Sequence, residues 1–116
     1  MNRNFRLTQS TDFKRVRRFG KSYAHPLVVL IVQARADEQT HVGVMAGRSV
    51  GSAVQRNRTK RMLREAARKL LPRVDTGWNI VLIARNPLLT AKLSELEDCL
   101  ITLFTKANLI SNNNGS

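Results

Sequence analysis

The 116-residue chain lacks most of what a self-sufficient enzyme or a membrane protein needs. Its single cysteine, Cys99, excludes an internal disulfide framework and a multi-cysteine zinc site. Within the last helical pattern, Cys99 reads as a small buried hydrophobe. Acid is scarce, with 8 Asp+Glu against 20 Lys+Arg. Phosphodiester hydrolysis by a protein usually needs metal-holding carboxylates or a paired acid and base. The two acidic clusters, Asp37-Glu38 and Glu95, Glu97 and Asp98, fall on a surface loop and a helix, where a solvated face is the simpler reading. The two histidines, His25 and His41, sit at strand edges with no acidic or serine partner nearby in sequence. A protein-only nuclease is therefore disfavoured. The longest uninterrupted apolar run, Leu27 to Val32, is far short of the ~20 residues that span a bilayer. No secretory signal is expected either, because the charged start Met1 to Arg6 is not followed by an apolar stretch. The expected location is the cytoplasm.

What the chain does have is positive charge, +12 at neutral pH. Such a balance speaks of partners rather than fold, and the candidates are nucleic acid, an anionic membrane surface or an acidic protein. Distribution narrows the choice. Arg3, Arg6, Lys14, Arg15, Arg17, Arg18 and Lys21 form one cluster, opposed only by Asp12. Arg56, Arg58, Lys60, Arg61, Arg64, Arg68, Lys69 and Arg73 form a second, opposed only by Glu65. Simple solubility favours interspersed signs, so two one-sign clusters point to phosphate. Most of these cations are arginine, whose planar fork grips phosphate and stacks on bases.

Length and an apolar content of 42% fit one folded domain, taken as residues 1–110. The polar tail at 111–116, Ser-Asn-Asn-Asn-Gly-Ser, reads as disordered. A first helix is predicted from an N-cap at Ser10 or Thr11 to Gly20, with Phe13 and Val16 facing inward and Phe19 near its end. The run from Leu27 to Val32 reads as a buried strand, Asp37 to Thr40 as a turn, and Val42, Val44 and Ala46 as alternate positions of a second strand. Ser52 and Gln55 make a capping box for a helix that Pro72 ends. Asn79 to Ala84 is a further strand, and a last helix is predicted with Ser94 and Glu97 as its cap and Leu96, Leu100, Leu103, Phe104 and Ala107 as its apolar face. The fold class is α+β, a small sandwich of helices on one sheet.

The helix after Ser52 has two faces. At ~100° per residue, Met62, Leu63, Ala66, Ala67, Leu70 and Leu71 gather on one half, and Lys60, Arg61, Arg64 and Arg68 on the other, with Arg58 just beyond. Packing the apolar half on the sheet holds a rigid row of cations outward, about one turn (~5.4 Å) apart, a spacing suited to phosphates along a strand. The helix start adds its dipole and free N–H groups as a phosphate site. A membrane-lying helix would want bulky aromatics on its apolar face, and this one is rich in alanine instead.

The run Gly51 to Arg68, with its central Ala-Val-Gln-Arg-Asn-Arg-Thr-Lys-Arg-Met-Leu-Arg-Glu, resembles the signature helix of the bacterial ribonuclease P protein component. Arg6-Leu7 before Asp12-Phe13, Gly20, Val42-Gly43-Val44 and Ile83-Ala84-Arg85 extend the resemblance from about Arg6 to Lys106. It implies the order helix, three strands, helix, strand, helix, with a left-handed βαβ crossover, against the usual right hand. The implied function is that of the protein subunit of a ribonucleoprotein endonuclease that removes the 5′ leader of precursor tRNA. In that family the RNA subunit does the chemistry, with Mg²⁺ held mainly by RNA and substrate, and the protein lowers the magnesium requirement without catalytic residues of its own. The resemblance places Arg56, Asn57, Arg58, Lys60, Arg61, Arg64 and Arg68 in an RNA-binding motif. It places Phe13, Arg17 and Ile31 in a cleft for the single-stranded leader. Arg17 and Ile31 stand where some family members carry aromatics. The implied partners are the ribonuclease P RNA and precursor tRNA, with no membrane and no disulfide-linked partner.

Two other readings explain part of the pattern. A small structural, ribosomal-type RNA-binding protein accounts for charge and size but leaves the long motif as coincidence. A DNA-binding module could read bases with Gln55 and Asn57, yet no turn-helix partner precedes them.

Overall fold

The computed structural model describes residues 10–110, with side chains from Phe13 onward; Arg3, Arg6 and the 111–116 tail lie outside the described residues. Three helices and four strands follow in the order α1 (Ser10–Phe19), β1 (Lys21–Ala24), β2 (Val28–Ala34), β3 (His41–Ala46), α2 (Ala53–Leu70), β4 (Trp78–Ala84) and α3 (Leu93–Lys106). They form one sheet in the order β1-β2-β4-β3. β1 and β2 are antiparallel, as are β2 and β4, whereas β3 and β4 run parallel. Parallel neighbours need a crossover connection, and α2 supplies it.

Alternation along the strands sends side chains to two different cores. Val28, Leu30, Val32, Val42, Val44, Ile80, Leu82 and Ala84 face α2 and α3 and pack with Leu63, Ala66, Ala67, Leu70, Leu96, Leu100, Leu103 and Phe104. Ile31 and Val81 face the other way, under Val16 of α1, with Phe13, Val29, Met45 and Ile83 half-buried around them. The sheet is thus covered fully by two helices on one face and partly by one short helix on the other. Each fully buried Leu or Val stabilises this arrangement by roughly 1.5–3 kcal/mol, so the α2–α3 face carries most of the stability. Among the described residues, the α1 face keeps Phe13, Val29, Met45 and Ile83 half-buried around the helix.

Local chemistry explains the element boundaries. Gly51 sits at φ +144°, a conformation that disfavours any side chain, and turns the chain into α2. There the Ser52 amide donates to Gln55 Oε1 at 2.8 Å and the Gln55 amide to Ser52 Oγ at 3.2 Å, the capping box expected from sequence. Pro72 falls in the 3-10 turn Leu71–Arg73 directly after α2. One expectation needs correction. α3 begins at Leu93, so Ser94 lies inside its first turn; the reciprocal partner is Glu95, whose Oε1 accepts from the Lys92 amide at 2.9 Å. Glu97 instead accepts from Lys69 Nζ at 2.7 Å and ties α3 to α2. Phe19, at the end of α1, points outward at 67% exposure, with the Arg18 guanidinium 5.3 Å from its ring centroid.

Candidate nucleic-acid interface

Gly20 sets how closely α1 approaches the sheet. Its amide donates to the Val16 carbonyl at 2.7 Å, and a Cβ here would lie 2.5 Å from that oxygen and 2.7 Å from the Val32 carbonyl oxygen. This close seat buries Val16 completely and leaves Phe13 and Arg17, on the flank of α1, overlooking β3 and β4. Two adjoining hollows result. One, about 230 Å³, is lined by Phe13, Lys14, Arg17 and Met45. The other, about 340 Å³, is lined by Arg17, Met45, Ala46, Gly47, Lys60 and Ile83. Because Arg17 and Met45 border both, the hollows join into one groove running from Phe13 on α1 to Lys60 on α2. Its floor is apolar and its walls are cationic.

Of the residues assigned to a cleft from sequence, Phe13 and Arg17 come together there. Ile31 does not line the surface: it is 7% exposed and closes the core beneath α1. Met45, Gly47 and Ile83 were absent from the sequence assignment. The signal existed, since Met45 and Ile83 are a register pair on the strand face opposite Val44 and Leu82. Assigning them required knowing that α1 covers that face only in part.

The seven motif residues of α2 do not form a single uniform row. Asn57, Arg58, Arg61 and Arg68 are exposed, and Arg56, Lys60 and Arg64 are half-buried. Arg56 Nη1 donates to the Gly51 carbonyl at 3.1 Å, tying the side chain to the turn that starts the helix. Arg68 pairs with Glu65 at 2.8 Å across one turn, an exposed pair of modest energetic value. Lys60 turns toward the α1 groove, whereas Arg58 and Arg61 border a different hollow beside α3. The basic face of α2 therefore serves two sides of the molecule at once.

Elsewhere the titratable groups are engaged in structure. Arg35 makes a double contact with Asp37, at 2.7 Å to each carboxylate oxygen, and donates to Asn79 Oδ1 at 2.9 Å. The guanidinium holds the Asp37 carboxyl well below the ordinary range, at about 2. His25 Nδ1 accepts from the Leu27 amide at 3.1 Å, and His41 Nε2 lies 3.1 Å from Gln39 Oε1. Burial pushes the Cys99 thiol up to about 11. Among the described residues no three His, Cys, Asp or Glu side chains converge as a metal site would require. None of the described helices is long and apolar enough to cross a membrane.

The family model described as Ribonuclease P matches residues 1–108. The chain belongs to the ribonuclease P protein family. Similar curated proteins of that family include the ribonuclease P protein component of Symbiobacterium thermophilum, 42% identical over 111 residues that cover 95% of this chain and 96% of the relative. That of Herpetosiphon aurantiacus is 36% identical over 109 residues, covering 94% and 89%. Among solved structures, the RNase P protein of Thermotoga maritima superposes with a TM-score of 0.78 at 26% identity, covering 87% of this chain and 96% of its own. The Staphylococcus aureus RNase P protein gives a TM-score of 0.82 at 23% identity, covering 92% and 98%, a likeness of fold. The order of one helix, three strands, helix, strand and helix implied by the motif is the order observed.

Proposed function

We propose that this protein acts as the protein subunit of ribonuclease P, binding the catalytic RNA subunit through α2 and the single-stranded 5′ leader of precursor tRNA through the groove beside α1. The RNA subunit carries out the hydrolysis that leaves a 5′-phosphate on the mature tRNA. The observation that carries this reading is the continuous groove from Phe13 past Arg17 and Met45 to Lys60. An apolar floor between cationic walls suits a single strand, which presents flat apolar bases on one side and phosphates on the other. Among the described residues Phe13 supplies the aromatic ring of that groove, and the Arg17 guanidinium can stack on a base or pair with a phosphate.

The cofactor of the proposed holoenzyme is Mg²⁺. The RNA subunit and substrate are its proposed holders. The protein's contribution is charge placed against the RNA, which neutralises phosphates and so lowers the magnesium concentration the RNA requires. No membrane and no disulfide-linked partner enters the proposal, and the proposed location is the cytoplasm.

The test compares holoenzyme affinity for precursor tRNA and for mature tRNA. Wild-type protein is expected to confer a preference for the leader-bearing substrate, and Phe13→Ala and Arg17→Ala are expected to reduce it. A holoenzyme without that preference, or one whose preference both variants leave intact, would remove the leader from this groove.

A further inference from the structure

Arg58 and Arg61 border a hollow of about 670 Å³ between α2 and the start of α3, closed on its far side by Ala91, Lys92 and Leu93. At ~100° per residue these arginines project well round the helix from Lys60, so the body of α2 separates this hollow from the leader groove. Its floor is apolar, formed by half-buried Met62 and Ala91 and by Leu93 at 37% exposure. Its rim carries three exposed cations, Arg58, Arg61 and Lys92. The single carboxylate there, Glu65, is already held by Arg68 at 2.8 Å. The hollow is thus a small apolar seat inside a ring of one sign of charge, of a size that takes a small organic group.

We propose that this α2–α3 hollow receives one unstacked nucleotide of the RNA subunit, with the base against Met62, Ala91 and Leu93 and the flanking phosphates on Arg58, Arg61 and Lys92. Folded RNA is recognised largely through bases splayed out of loops and bulges, and each such base brings an apolar face and two phosphates together. That combination matches the floor and rim. A leader strand lying between Phe13 and Lys60 would have to cross over α2 to reach this site, which favours the RNA subunit as the source. Lys92 and Leu93 then become RNA-contacting residues outside the arginine helix. The inference rests on the ribonuclease P reading for the identity of the RNA.

Two variants of the full chain test it. Leu93→Trp places an indole on the floor of the hollow, and the chain's own Trp78 supplies the background signal in wild-type protein. Titration with ribonuclease P RNA is expected to quench the new fluorescence by base stacking, while a single-stranded oligonucleotide of leader length or polyglutamate leaves it unchanged. Lys92→Glu reverses an exposed rim charge and is expected to weaken RNA-subunit binding about tenfold, without altering the preference for precursor over mature tRNA. Unchanged Leu93→Trp fluorescence at saturating RNA would overturn the proposal, as would undiminished binding by Lys92→Glu. Quenching by the oligonucleotide would assign the hollow to the leader, and quenching by polyglutamate to an acidic protein. Failure of wild-type protein to bind ribonuclease P RNA at all would strike the ribonuclease P reading itself and the hollow's occupant with it.

Discussion

Gly20 is the position where one added carbon tests how the groove beside α1 is built. A Cβ there would lie 2.5 Å from the Val16 carbonyl oxygen, 2.7 Å from the Val32 carbonyl oxygen and 2.8 Å from Ile31 Cγ2. Two of those three atoms are backbone, so no rotamer change relieves the clash: the last turn of α1 must distort to clear Val16, and its end must lift from β2 to clear Val32 and Ile31. Overpacking of this kind costs about 1–3 kcal/mol. In a domain of this size each kcal/mol is worth about 4 °C, so Gly20→Ala is expected to melt roughly 4–12 °C lower by circular dichroism. Because α1 carries Phe13 and Arg17, the same variant is expected to lose preference for leader-bearing tRNA while still binding ribonuclease P RNA. Gly47→Ala is the stability control, since a Cβ at Gly47 meets nothing within 4 Å. An unchanged melting temperature for Gly20→Ala would refute the idea that close backbone approach seats α1.

Three further outcomes follow from the geometry. Replacing Arg58, Lys60, Arg61 or Arg64 by alanine is expected to reduce the slope of log affinity against log salt by about 0.7 per lost contact with single-stranded phosphate, measured by anisotropy across a salt series; unchanged slopes in all four would take α2 out of the interface. Arg35 holds the folded Asp37 carboxyl at about 2 against an ordinary 3.8. The pair's stabilisation is therefore present above about pH 4 and is lost as pH falls toward 2, and Asp37→Asn is expected to flatten that acid limb in denaturation measured over the window. Cys99 is 2% exposed and its pKa is raised to about 11, so a disulfide-exchange reagent at pH 8 is expected to leave native protein untouched and to label one thiol after denaturation. Rapid labelling of the native protein would contradict the burial.

Much of this was legible in the residues because the strong signals agree with one another. Ser52 with Gln55, the apolar positions from Leu63 to Leu70, and the β-branched runs of β2 and β4 each point to one local structure. β1 was not legible from pattern. Lys21–Ala24 is a four-residue edge strand with three exposed side chains, so it carries neither alternation nor an apolar run. Only the family resemblance implied a third strand before α2, and only it implies the left hand of the βαβ crossover, since the general rule predicts the right. The cap of α3 was misplaced because Ser94 is the better capping residue by type, whereas Glu95 reaches back to the Lys92 amide and sets the cap two residues earlier than expected. At the interface, the helical wheel separated charge from core but treated the cations as one face. Their division between Lys60, toward α1, and Arg58 and Arg61, toward α3, depends on which neighbours flank α2, and that is tertiary information.

The central claim is that this chain assists an RNA that does the cutting. Its most direct test is cleavage of 5′-labelled precursor tRNA by a bacterial ribonuclease P RNA at low millimolar magnesium, with and without the protein. The account predicts cleavage at the mature 5′ end that depends on the protein, a dependence that fades as magnesium is raised enough for the RNA to act alone. Binding of RNA with no change in rate or magnesium requirement would contradict it and return the protein to a purely structural RNA-binding role.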